Sequence, residues 1–363
     1  MAARKNREVQ LYVGTRKGGF LFRSDLRRKN WKIEGPFFAG GEVNHLARDP
    51  RSGQLWAAVH SAWWGPDVQV SSNNGKRWRK SSAGLAFAKD RGLNLNRTWR
   101  VTPDRDSRFD TLWCGVDPGA LFRSDNGGRD WYEVPGLNQH PTRDRWNPGG
   151  GGLMVHGILP DPSNPQRIYV AISAAGTFRS DDDGKTWQPF NRGVRADFLP
   201  KKFPEVGQCV HSMHMSSGNP QWLVQQNHCG VYRSRNAAEQ WTDISKGLPS
   251  RFGFAMAVHP HEPETIYVVP EVSSYERYVH GGLGVWKSAN GGKSWRKLTR
   301  GLPQKNVYTQ VLRHGAITDS CEDAGVYVGT TSGEIYYSRD GGNFWALLQA
   351  HLAPILSLET ALV

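Results

Sequence analysis

One short stretch, ending in tryptophan, recurs along the whole chain. It reads FRSDLRRKNW at 22–31, QVSSNNGKRW at 69–78, FRSDNGGRDW at 122–131 and FRSDDDGKTW at 178–187. It returns as YRSRNAAEQW at 232–241, WKSANGGKSW at 286–295 and IYYSRDGGNFW at 335–345. The closing residues Trp31, Trp78, Trp131, Trp187, Trp241, Trp295 and Trp345 stand roughly fifty residues apart, a period that marks a repeat architecture. Between two of these tryptophans the segments LMVHGILP, RIYVAIS, TFRS and KTWQPF alternate in polarity and are rich in β-branched and aromatic residues. Asp, Asn, Pro and Gly punctuate them, so each unit reads as four antiparallel strands.

Four-stranded units repeated radially make a propeller. The fold expected is all-β: a single seven-bladed β-propeller over residues 1–363, in four-stranded antiparallel blades. The first unit begins at QLYVGT, a second strand, so its innermost strand is expected from the C-terminal PILSLETALV.

The consecutive acids Asp181, Asp182 and Asp183 suggest a calcium loop or a pair of catalytic carboxylates. A calcium loop also needs a bidentate glutamate at its end, and none is placed there. Ser and Asp side chains bind nearby backbone N–H groups in turns, while Gly accepts positive φ. The acids are therefore expected to be scaffold.

These stretches resemble Asp-box (BNR) repeats, similar to those of sialidases, xyloglucan-cleaving glycosidases and the propeller factors that assist photosystem II assembly. From VGTRKGGFLF to VYVGTTSGEIYYSRDGG the chain resembles short bacterial BNR-repeat proteins labelled exo-α-sialidase or glycosyl hydrolase. HPTRDRWNPGGGG, RADFLP, EVGQCVH and QQNHCGVYRS carry that likeness. The resemblance implies a hydrolase-like enzyme. Specific sialidase activity is not expected, because there is no FRIP-type motif and the units number seven where sialidases have six.

A formal net charge of +13 favours anionic partners. The expected ligand is small and anionic or sugar-like, on a hydrolase-like enzyme; the alternative is a non-catalytic platform for an acidic protein partner. Lys and Arg are scattered, so nucleic acid is not favoured. No run approaches a membrane-spanning length. MAARKNREVQLYVGT lacks an apolar signal core, and the four cysteines form no CxxC pair, so a cytoplasmic location is expected.

Counting strands outward puts the boxes on one face and the long loops on the other, where a scaffold would present a site. The second-strand ends at that mouth are Arg16, His60, Asp117, Ser173, Gln226, Glu271 and Thr331. The inner strands start there with Asn44, Trp99, His156 and His211. His156, His211, Asp117 and Glu271 are the candidate acid–base groups. Arg16, His60, Arg97, Trp99, Arg143, Trp146, Arg195, Gln226 and Tyr275 are the candidate ligand-binding residues. Cys209 and His211 lie two apart on one strand, with His228, Cys229 and His156 near them. His156, Cys209, His211 and His228 are a candidate set for a divalent metal such as zinc. Two alternatives stand beside it: a cysteine thiolate nucleophile next to a histidine, and inert buried thiols.

Overall fold

The computed structural model describes residues 7–104, 110–216 and 218–363. Its strands form seven four-stranded antiparallel sheets, each running from an inner to an outer strand in chain order, except the first. There the inner strand is the last of the chain: Ile355–Leu362 pairs antiparallel with Glu8–Thr15, from Val9↔Leu362 to Thr15↔Ile355. The ring is thus shut by the C-terminal strand. Among the described residues helix is confined to Pro135–Asn138 and two 3-10 turns.

The core lies between blades. Seven apolar clusters each join two neighbouring blades; Trp113 and Leu121 of blade 3, for example, meet Val155, Ile158 and Phe178 of blade 4. Second strands such as Ile168–Ile172 are buried on both faces, which is why they read as continuous apolar runs.

The boxes are backbone clamps. Ser180 Oγ accepts from the Gly184 N–H at 2.8 Å, and Asp182 Oδ1 accepts from the Thr186 N–H at 2.9 Å. The serine bond recurs in blades 2, 3, 5, 6 and 7. Gly184 has φ +84, which strains a side chain, and a β-carbon there would sit 2.7 Å from Trp113 of the preceding blade, so the packing leaves no room for one. Blade 5 keeps the turn with Ala238 at φ +70. Asp181 binds Arg167 and Arg179, while Asp183 binds Arg123 of blade 3 at 3.0 Å. The acids of FRSDDDGKTW are spent on turn and blade contacts. The tryptophans do more than cover their own hairpins. Trp131, Trp241 and Trp295 each donate the indole N–H to a carbonyl of the preceding blade, those of Ser81, Phe190 and Ile244.

Candidate functional site

At the mouth, one irregularity repeats. The inner strands skip a residue in their pairing with the second strands: Asn44, Trp99, His156, His211 and Leu356 each fall in such a bulge, and Phe254 lies in a wider one. A bulge bends its strand and re-aims its side chain, and bulges gather at the rims of sites. The polar residues at the inner-strand starts therefore share one backbone device, repeated around the funnel.

A glycine loop at 149–152, from the crossing between blades 3 and 4, divides the mouth into two chambers of about 300 and 460 Å³. Gly150, Gly151, Gly152, Phe254, Arg277 and Arg313 line both. The bare loop lets the two arginine ends come close to its backbone. A β-carbon on Gly151 would lie 3.1 Å from Arg313 Nη2, and one on Gly150 would lie 3.4 Å from Arg277 Nη2.

Neither guanidinium pairs with a carboxylate among the described residues. Arg313 Nη2 donates to Ser173 Oγ at 3.4 Å, its Nε has no protein partner, and the group lies 5.2 Å over the Phe254 ring. Arg277 Nε donates to the Ser274 carbonyl at 2.8 Å. Burial, opposed by Cys209 and reinforced by Arg277, pulls Arg313 below the ordinary arginine range. Two cations thus face the chamber without a carboxylate partner among the described residues, and guanidinium groups suit carboxylate and phosphate oxygens.

The smaller chamber also holds Cys209, His211 and His228, whose ligand atoms lie within 4.8 Å of one another. The His228 N–H donates to the Cys209 carbonyl at 2.9 Å, which sets the two strand ends side by side. His211 Nδ1 bonds the Gly253 carbonyl at 2.7 Å, and its ring stacks on Phe254 at 4.3 Å. Burial, then the charge of Arg313, holds His211 well below the usual histidine range; burial and Arg277 lower His228. Both imidazoles are thus neutral, as metal ligands or general bases must be.

His156 stands apart from this trio. It is fully buried, its Nε2 bonds the Val210 carbonyl at 2.9 Å, and it faces His314 at 5.6 Å between ring centres. Burial, with Arg313 and Arg100, lowers it to about 3. Cys229 is also separate: its Sγ accepts from the Asp197 N–H at 3.3 Å, and burial pushes the thiol up.

The larger chamber holds Arg16, Asn44, Arg97, Trp99 and Asp117. Its two carboxylates share one cation, Arg97 lying 3.1 Å from Glu42 and 3.7 Å from Asp117. Burial raises Asp117 despite its Asn96 bond and Arg97. Glu271 lines neither chamber. It is fully buried, accepts from Gln310 Nε2 at 3.2 Å, and burial pushes it up to about 7.

Six expected ligand contacts lie elsewhere. Trp146 packs in the blade 3–4 core with its indole N–H on Thr142, and Arg143 stacks on it while donating to the Gly119 carbonyl. Arg195 pairs with Asp197 at 2.7 Å, and Gln226 donates to the Asn227 carbonyl at 2.9 Å. His60 and Tyr275 line neither chamber, Tyr275 being 93% exposed. The residues that reading by strand order misses are Arg277, Arg313, Phe252 and Phe254. Only the glycine run in WNPGGGG marked their meeting place.

The family model for the BNR/Asp-box repeat matches residues 178–189. The oligoxyloglucan-reducing end-specific xyloglucanase of Emericella nidulans is 23% identical over 337 residues, 80% of this chain. The chain spans only 39% of that relative's length. The GH74 enzyme of Niastella koreensis superposes with a TM-score of 0.55 at 16% identity, over 96% of this chain and 65% of its own. YCF48 from Cyanidioschyzon merolae gives 0.54 at 14%, over 85% and 84%. At these identities the structures share the fold alone. No described helix is long and apolar enough to cross a membrane. With seven blades, the box clamp in six of them and the repeat model matched in one, the chain is a seven-bladed propeller carrying BNR/Asp-box repeats.

Proposed function

We propose that the mouth is the working site of a hydrolase-like enzyme acting on a small substrate with a carboxylate or phosphate, such as a sugar acid. One observation carries this: Arg277 and Arg313 converge on a side-chain-free loop with no carboxylate among the described residues to neutralise them. The trio Cys209, His211 and His228 would then stand beside the bound anion as the reacting end of the chamber. Two-carboxylate glycoside hydrolysis needs acids facing each other across a sugar. Glu42 and Asp117 instead share Arg97, and Glu271 is sealed, so the relatives' activity on xyloglucan does not follow for this chain. Four free cysteines support a cytoplasmic setting.

The test is ligand-induced thermal stabilisation with aldonic and uronic acids, their neutral parent sugars and inorganic phosphate. Acids should bind and neutral sugars should not. Arg313→Gln should weaken acid binding roughly 10- to 100-fold, the worth of one hydrogen bond to a charged group. Equal binding of the neutral sugars, or wild-type affinity in Arg313→Gln, would refute the reading.

A second reading, docking of an acidic protein partner, draws support from the exposed aromatics of the mouth-face loops. Trp63 and Tyr275 are each 93% exposed and Tyr308 is 70% exposed. Replacing all three with serine should abolish partner binding and leave small-acid binding intact.

A further inference from the structure

We infer that Cys209, His211 and His228 form a three-ligand zinc site whose fourth position opens into the smaller chamber. The inference deepens the hydrolase reading, on which it rests only for the identity of what the ion would meet.

The donor set comes first. One thiol and two imidazoles are the soft and borderline ligands that select zinc over calcium or magnesium, which take oxygen. Their ligand atoms lie within 4.8 Å of one another. Bonds of about 2.0–2.3 Å around a tetrahedral ion put ligand atoms about 3.3–3.8 Å apart, so the set closes by roughly 1 Å on binding.

Orientation is the second observation. A carbonyl oxygen only accepts, so the 2.7 Å bond to Gly253 places the proton of His211 on Nδ1. That leaves the Nε2 lone pair free, as in zinc-bound histidines whose far nitrogen donates to a carbonyl. The bulge at His211 turns this ring out of the strand pairing. His228 is walled by Phe198 and Phe252, with ring centres at 4.9 and 5.1 Å, and its side chain makes no hydrogen bond among those of the described residues. Cys209 is the one cysteine of the four that is not fully buried, and it faces the chamber.

Ligand count is the third. Structural zinc sites close with four protein ligands, whereas three ligands and an open face belong to sites that bind water or substrate. No fourth His, Cys, Asp or Glu joins the group among the described residues. The open side looks toward Arg313: Ser173 Oγ lies 3.4 Å from its Nη2 and 4.0 Å from Cys209 Sγ. An anionic ligand held by Arg313 would therefore present its neighbouring atoms to the ion.

The test uses the full chain without a histidine tag, stripped with chelator and titrated with Co²⁺ and then Zn²⁺, no substrate being present. One equivalent of cobalt should bind with a thiolate-to-cobalt charge-transfer band, and zinc should displace it. Cys209→Ser should lose the band. His228→Ala should lower zinc affinity by more than about 100-fold, beyond the 10- to 100-fold typical of losing a group behind a ligand. His228 is only partly buried, so this variant should keep the wild-type melting temperature even if His211→Ala does not. Cys229→Ser should bind as the wild type does. A folded wild type that takes up no stoichiometric zinc, or a cobalt band that survives Cys209→Ser or vanishes in Cys229→Ser, would overturn the site. A wild type that binds the acids but takes up no zinc would refute this site alone; a wild type that takes up zinc but binds no acid would refute the hydrolase reading instead.

Discussion

Glu271→Gln should stabilise the protein above neutral pH. In the fold Glu271 is fully buried, with one bond from Gln310 and one carboxylate oxygen, Oε1, without a partner. Burial pushes its carboxyl up from 4.5 to about 7, against the opposing pull of Gln310, Val311 and Arg277. The folded state thus holds this proton more tightly than the unfolded chain does. Stability from the protonated form is complete below about pH 4.5, declines as pH rises toward 7, and stays flat at the lower level above. A shift of about 2.5 units at 1.36 kcal/mol each amounts to about 3 kcal/mol at pH 8.

Glutamine keeps the shape and an acceptor for Gln310 and cannot ionise. Relative to wild type, the variant should gain little at pH 5 and about 3 kcal/mol at pH 8. With an unfolding entropy of about 2.1 cal/mol/K per residue, a chain of 363 residues needs about 0.8 kcal/mol per degree. The expected gain in melting temperature at pH 8 is therefore about 4 °C. Calorimetry of both proteins at pH 5 and pH 8 checks it. A gain that is equal at the two pH values, or a variant less stable at pH 8, would refute the reasoning, because the benefit comes from removing a titration.

Two more expectations concern closure of the ring. Removing residues 355–363 exposes the edge of Glu8–Thr15 and discards buried Ile355 and Leu358, worth about 3–6 kcal/mol by burial alone; an unchanged melting temperature would refute closure. Glu359 in that strand bonds Arg100 at 2.6 Å and His45 at 3.3 Å, and although burial opposes them these partners hold it down to about 2. Its stabilisation is present above about pH 4.5 and fades as pH falls toward 2, so Glu359→Gln should cost about 3–5 kcal/mol at pH 7 and flatten the acid limb of the stability curve.

The blades were legible because their information is local. A serine, an Asp or Asn two residues on and a residue of positive φ two further form a turn whose hydrogen bonds close within seven residues, from Ser180 to Thr186 in blade 4. Repetition then gives the blade count, and a first unit lacking an inner strand points to the last strand as its partner. The mouth was legible only in outline. Strand order singled out Arg16, Trp99, Asp117 and His211, which line the chambers because each stands where a strand reaches the funnel. It misplaced Trp146, because the loop carrying it folds back into the blade 3–4 core, and nothing in loop composition distinguishes a tryptophan turned inward from one at a rim. Arg313 carried no signal at all: it follows no repeat, and its meaning comes from a glycine loop reaching across from another blade.

The two faces explain where the surplus charge matters. On the box face several arginines are matched: Arg123 lies between Asp125 and Asp183, Arg167 between Asp161 and Asp181, and Arg179 between Asp181 and Glu239. Deep in the channel Arg100 has Glu359. At the mouth the matching is partial: Arg97 lies between Glu42 and Asp117, whereas Arg277 and Arg313, beside neutral histidines, pair with no carboxylate among the described residues. Holding two like charges in one chamber works against stability. Under the proposed function an entering anion would offset that cost. On that proposal a net charge of +13 is more than a solubility device, because part of it lines the chamber where the anion would bind.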